Sequence, residues 1–458
     1  MSVSTRPDRS FQAKAFDGFV QGLKGVWRNE LYAKVIDEAV ETGANSVSDL
    51  ELAMTGSPQY AMYAWLERFT QQMSLVGRWG MYRELEPQME KLSTQLDEAA
   101  GRNPERLNLD PYLPLPEYLT ETEIHQYSGG LWESDMGGYA LEGRTEKSSF
   151  SMLEPDQPLA WYAEYIRDTV APERILDLGC ARARGTRAMK RAMPNADIHG
   201  CDLCGPILRL AHLRNLEENL TITLWQRNAE DTGFDAAGFD LVTSHWLIHE
   251  MPPAAVRRMI AEGWRLLKPG GTFAIYDMYI TPGGVVGQWL HAGYAARNNE
   301  PFAYPVARMD LKAEVESAGF VEAQVALSGL QATPEALRGE LPNCRIHYMS
   351  VITGRKPDTS STRADPSTWT LSREIGHERS EGSLSPNSQR CGPYDRRRIN
   401  YIGGPGDGLS RAHPIKRVRG AGMGLSGFRS GNRSGARVRS NHAPGTATRG
   451  PRRDQGYH

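Results

Sequence analysis

Between residues 174 and 249, four short apolar runs each end on side chains able to bind a ligand or exchange a proton. Asp177-Leu178-Gly179-Cys180 follows the first run, Asp202 and Leu203 the second, and Asn228-Ala229-Glu230 the third. After the fourth come Ser244, His245, Trp246 and, four positions beyond His245, His249. Open parallel sheets bind ligands at the carboxyl ends of their strands, beside the point where strand order reverses, so these are the positions at which chemistry is expected. Either imidazole can act as a general base. Cys201 and Cys204 make a lone CxxC with no second pair and no histidines at ligand spacing, so no metal is expected.

The elements that must position these residues alternate in type. ERILDLG, ADIHGCDL, TITLWQRNAE, FDLVTSHWLIHE and TFAIYDMYI read as strands. GTRAMKRAM, GPILRLAHLRNLEEN and AAVRRMIAEGWRLLKPGG read as the intervening helices. Strands separated by such helices imply a parallel sheet covered on both faces. LKAEVESAGF then precedes two closing strands, VEAQVAL and RIHYMSVITG, which suit an antiparallel edge. The expected fold class is α/β, a Rossmann-like doubly wound sheet with a closing antiparallel strand pair. An α-helical N-terminal region precedes it and a disordered tail follows.

Four segments are expected. Residues 1–110 carry helical periodicity over 11–42 and 58–97, with Pro58 after Ser57 a natural helix start. Residues 111–158 are rich in Pro, Gly and Tyr, an irregular connection able to close over a pocket. Residues 159–355 hold the strand–helix alternation. Residues 356–458 are dense in Arg, Gly, Ser and Pro and cannot bury enough apolar area to offset the entropy of ordering. That tail has 17 Arg and 2 Lys against 8 Asp and Glu, a net of +11, so with −2 for the whole chain residues 1–355 carry about −13. The acidic body has no broad basic footprint for nucleic acid. No run approaches the ~20 apolar residues of a membrane span, and the first thirty residues lack the apolar centre of a secretion signal, which points to the cytoplasm. Five cysteines are too few for a disulfide framework.

The ordered series ILDLGC, HGCDL, RNAED, FDLVTSHWLIHEM and LLKPGG resembles the motifs of class I S-adenosylmethionine (SAM)-dependent methyltransferases, above all those acting on small molecules. The resemblance covers residues 159–355 and implies SAM as cofactor. It places Gly179 and Cys180 where the backbone passes close to the cofactor. Asp177 would orient that loop or meet the cofactor's amino group. Asp202, with Leu203 beside it, would grip the ribose hydroxyls, and Asn228 and Ala229 would meet the adenine edge. Ser244 would line the site, and His245 or His249 would serve as base. The insert 281–308 lies where relatives build an acceptor lid, and its Trp289, Tyr294, Phe302 and Tyr304 would suit an apolar or aromatic acceptor, though packing alone explains them equally well.

One departure matters. Where the family loop usually has two further glycines, this chain has Ala181 and Ala183, flanked by Arg182 and Arg184. If those positions need positive φ, each alanine costs ~1 kcal/mol or more. A degenerate, binding-only member of the family is therefore one alternative. An RNA methyltransferase using the basic tail is another, opposed by the acidic body and by SHWL standing where enzymes acting on planar amino groups carry an Asn/Asp-Pro-Pro-aromatic motif.

Overall fold

The computed structural model describes residues 4–145 and 156–358. Eight strands form one sheet: β1 (Leu107–Asn108), β2 (Arg174–Leu178), β3 (Asp197–Asp202), β4 (Thr223–Gln226), β5 (Phe239–His245), β6 (Leu267–Asp277), β7 (Val321–Leu327) and β8 (Ser350–Arg355). Their order is β1-β4-β3-β2-β5-β6-β8-β7, with β8 antiparallel to both neighbours and the other pairings parallel. From β2 the chain first winds outward through β3 and β4, then returns to start again with β5 on the other side. The switch point lies between β2 and β5. The sheet is doubly wound with an antiparallel closing pair, as expected.

Alternation along the central strands explains the two buried faces. Ile175, Leu241, Ala274 and Tyr276 pack with Leu159, Tyr162 and Met189 from the helices at 157–169 and 184–192. The intervening Leu176, Leu178, Val242, Phe273 and Ile275 pack with Val256, Ile260 and Val315 on the opposite side. Successive residues in a strand point to opposite faces, so near-continuous apolar runs are what a sheet covered on both faces requires.

The N-terminal helices, including Phe11–Val26, Tyr32–Glu41 and Pro58–Val76, bury Tyr32, Val35, Leu50 and Tyr63 against Trp289 and Leu290. Ser57 accepts the Tyr60 amide as N-cap with Pro58 in the first turn. This region also enters the sheet, because Leu107 and Asn108 pair with Leu224 and Trp225 as a parallel edge. The helix Asp135–Thr145, from the connecting segment, packs on Gly205–Glu217 around Tyr139, Leu210 and Leu213. At the other end, pairing runs to Lys356, whose amide donates to the Gly271 carbonyl. The tail expected to be disordered falls almost wholly on 359–458, outside the described residues. No helix among the described residues is long and apolar enough to cross a membrane.

Candidate active site

A crevice of about 220 Å³ opens at the carboxyl ends of β2 to β5. Asp177, Gly179, Cys180, Asp202, Leu203, Asn228, Ala229, His245 and His249 all line it. Ser244 does not. It sits one residue before His245 on β5 and so turns to the opposite face, fully buried, its hydroxyl without a hydrogen-bond partner among the described residues.

The loop after β2 takes three left-handed residues: Gly179 at φ +66°, Ala181 at +45° and Ala183 at +57°. The two alanines keep the turns that glycine would adopt freely, at a cost of ~1 kcal/mol each. Neighbouring bonds hold them there. The Ala181 amide donates to Asp202 Oδ2 at 2.9 Å, and the Ala183 amide to the Cys180 carbonyl at 2.8 Å. Gly179 has no such latitude: a Cβ there would lie 2.6 Å from Leu247 Cδ1. Asp202 is fixed from both sides, because its Oδ1 accepts the Cys204 amide at 2.9 Å. Burial raises its pKa, and the two amide bonds work against that shift. Asn228 uses its side-chain oxygen to accept the Glu230 amide at 2.9 Å. The second lone pair of that oxygen can still face a ligand.

The two loop arginines stand in the walls and do not fill the opening. Arg184 donates through Nε to Asp156 at 2.8 Å and lies over the Trp246 ring. Arg182 approaches Glu142 at 3.9 Å.

His245 is held by a relay. Its Nδ1 lies 3.0 Å from Asp177 Oδ1, and Asp177 Oδ2 accepts the Thr186 hydroxyl at 2.6 Å. With Nδ1–H donating, Nε2 keeps its lone pair, and that buried atom has no hydrogen-bond partner among the described residues. Gly185 makes room for the ring, since a Cβ there would meet it at 2.9 Å. Asp177 thus has both oxygens engaged within the protein and supports His245.

His249 sits beyond, with Nδ1 2.6 Å from Asp277 Oδ1 and Nε2 3.8 Å from Glu250 Oε1. Burial opposes its charge, but the carboxylates of Asp277, Glu250 and Glu300 outweigh that and raise its pKa to about 10. Opposite lies His125, from the connecting segment. Its Nε2 is 2.8 Å from Glu250 Oε1 and its Nδ1 2.7 Å from Glu300 Oε1.

Sequence reasoning missed His125, Glu250, Asp277 and Glu300. Asp277 was open to discovery, since it ends the fifth strand of the alternation. His125 and Glu300 carry no pattern of their own. The insert expected to supply an acceptor lid behaves differently, because Trp289, Tyr294, Phe302 and Tyr304 do not line the crevice. Trp289 is core, its indole bonded to Glu51, and Tyr294 packs on His347. The roof comes from Tyr118, Leu119, Ile124, Leu131 and Leu141. Tyr118 is anchored through its hydroxyl to Glu230 at 2.8 Å.

Comparison with known proteins finds methyltransferases. Residues 175–271 match the family model described as a methyltransferase domain. A ubiquinone biosynthesis O-methyltransferase of Ralstonia nicotianae is 29% identical over 220 residues, 46% of this chain and 88% of that protein. The Xanthomonas campestris enzyme of the same name is 32% identical over 126 residues, 27% of this chain and 51% of that protein. The chain spans about half the length of most of these curated relatives. Among solved structures, phosphoethanolamine N-methyltransferase 2 of Haemonchus contortus is similar at 18% identity and TM-score 0.39, over 55% of this chain and 62% of that one.

Proposed function

We propose that this chain, which carries a class I SAM-dependent methyltransferase domain, moves the SAM methyl group onto a small molecule held beneath the 118–141 roof. The observation that carries the reading is the junction of Asp202 with the left-handed loop 179–183, joined by the Ala181 amide bond, at the switch point of the sheet. Asp202 would accept from the ribose hydroxyls, Asn228 and Ala229 would meet the adenine edge, and the Gly179–Cys180 backbone would lie against the cofactor. Bound there, SAM supplies an electrophilic methyl on a sulfonium, a donor needing little covalent help.

The protein's work is then positioning and proton management. Holding acceptor and methyl in line at ~3–3.5 Å supplies most of the acceleration. With SAM bound, an acceptor giving up a proton on methylation would pass it to His245 Nε2. Asp177 holds that ring in the accepting tautomer and stabilises the imidazolium formed. The roof residues Leu119, Ile124, Leu131 and Leu141 are apolar, which suits a small acceptor.

A binding-only role is the second reading, favoured by the strained Ala181 and Ala183. Calorimetric titration with SAM, followed by a mass-spectrometric screen of candidate acceptors for a one-methyl gain, separates the two. Asp202→Asn should weaken SAM binding on the order of 100-fold, the loss of two hydrogen bonds to a charged group. Absence of SAM binding to the wild-type chain would reject the enzyme reading. Tight binding without turnover of any acceptor would favour the alternative.

A further inference from the structure

We infer that His125, His249 and Glu250 form a binding site for a divalent transition metal, with one coordination position open to the crevice. Although the spacing of cysteines and histidines along the chain predicts no metal, folding brings these three together from two distant segments. One ligand atom from each of the three lies within 4.8 Å of the others, with His125 Nε2 2.8 Å and His249 Nε2 3.8 Å from Glu250 Oε1, and all three residues line the crevice.

Three features distinguish the cluster from an ordinary polar network. Each imidazole has its Nδ1 beside a buried carboxylate, His249 hydrogen-bonded to Asp277 at 2.6 Å and His125 in ion-pair contact with Glu300 at 2.7 Å. For His249 this carboxylate–histidine pairing fixes the ring and leaves Nε2 on the side of Glu250, as metal-ligating histidines require. The supports are themselves fixed: Asp277 also accepts the Ile248 and Met278 amides, and both carboxylates are fully buried. Lastly, Glu250, Asp277 and Glu300 bring three carboxylates to a mostly buried place, and a bound cation would offset them where imidazole protons otherwise do.

Two nitrogens and a carboxylate oxygen suit Zn²⁺ and its first-row neighbours, and three protein ligands with a fourth position free is the pattern of catalytic sites. Tetrahedral ligands at ~2.0–2.2 Å stand about 3.3 Å apart. The 2.8 Å His125–Glu250 contact would open by about half an ångström and the 3.8 Å His249–Glu250 separation would close by as much.

The proposal rests on the methyltransferase reading for its consequence and narrows the acceptor to a hydroxylated compound. The open position would bind the hydroxyl oxygen and lower its pKa. The O–H proton then passes to His245 Nε2, the oxygen bonds to the methyl carbon, and the carbon–sulfur bond breaks.

The test uses the full-length, tag-free chain stripped with chelator and titrated with Co²⁺, read by visible absorption. One tetrahedral Co²⁺ per chain, displaced by Zn²⁺, is expected. His125→Gln and Glu250→Gln should each weaken binding 10-fold or more, and the double variant should abolish the signal. Thermal melts and SAM calorimetry on the same variants show whether they remain folded. No tetrahedral band, or a band unchanged in the folded double variant, overturns the site. Should a single variant misfold, the wild-type stoichiometry and band decide the matter. Metal absent with SAM bound defeats this inference alone, whereas metal bound without SAM defeats the methyltransferase reading alone.

Discussion

The end of the crevice proposed for the cofactor is built from one continuous run, residues 177–229, in which each contributing side chain follows a strand. The end proposed for the acceptor instead takes His125, His249, Glu250, Asp277 and Glu300 from four places along the chain. The first obeys a local rule, since any strand in a parallel sheet delivers its last residues to the same edge. The second depends on where an irregular roof comes to rest, and no periodicity encodes that. The strain differs too. Left-handed non-glycine backbone occurs at both ends, at Ala181 and Ala183 in the loop and at His125 and Gln126 in the roof. In the loop it stands where the family resemblance leads one to expect glycine; in the roof it falls on a histidine and a glutamine.

The largest expected effect asks whether the roof is as integral as the floor. Glu142, on the roof helix, pairs with buried Arg214 at 2.7 Å and lies near Arg182 of the loop. Burial pushes its pKa up, but Arg214 outweighs this and leaves it below the ordinary carboxylate range. Glu142→Ala should cost about 3 kcal/mol in denaturant unfolding, since it leaves buried guanidinium charge less compensated. A depressed folded pKa means that this stability is complete at neutral pH and fades as pH falls through that folded value. The wild type should therefore lose the advantage over the variant in acid. An unchanged midpoint at neutral pH would mean that the roof is a loose cover and that the two ends are not comparable structures.

Gly185→Ala probes the floor at intermediate size. Its Cβ would press on His245, costing about 2 kcal/mol by overpacking. It should also displace the proposed base, so turnover should fall more than SAM affinity. Equal loss in both would weaken the division of labour between the ends. The smallest effect is a gain. Ala181→Gly should relieve the left-handed strain and stabilise the chain by up to about 1 kcal/mol, read as a shifted unfolding midpoint. Destabilisation would show that the methyl packs favourably enough to justify its backbone.

What was legible followed these physical lines. The alternation of apolar runs and amphipathic helices specified a parallel sheet with a closing antiparallel pair, but not its strand order. The residue types after each strand identified Asp177, Gly179, Asp202, Asn228 and His245 as neighbours around one opening. Positive φ at Ala181 and Ala183 was open to expectation because neither the turn nor its cost depends on distant contacts. Ser244 went astray by one position, since strand ends fix proximity more readily than the side a residue faces. The aromatic insert went astray because four rings suit a core as well as a ligand, and Trp289 found its place against the N-terminal helices. His125 lay beyond reach, as nothing local distinguishes it from any other histidine in a Pro- and Gly-rich stretch.

The two-residue strand Leu107–Asn108 has a consequence out of proportion to its length. Without it, β4 would present its outer amides and carbonyls to solvent, an adhesive border able to recruit the same strand of another molecule. Its partner residues lie more than a hundred positions downstream, so this closure depends on a long-range contact of the kind that slows folding. The strand that follows the N-terminal helices thus covers an edge that trimming the chain to residues 159–355 would expose.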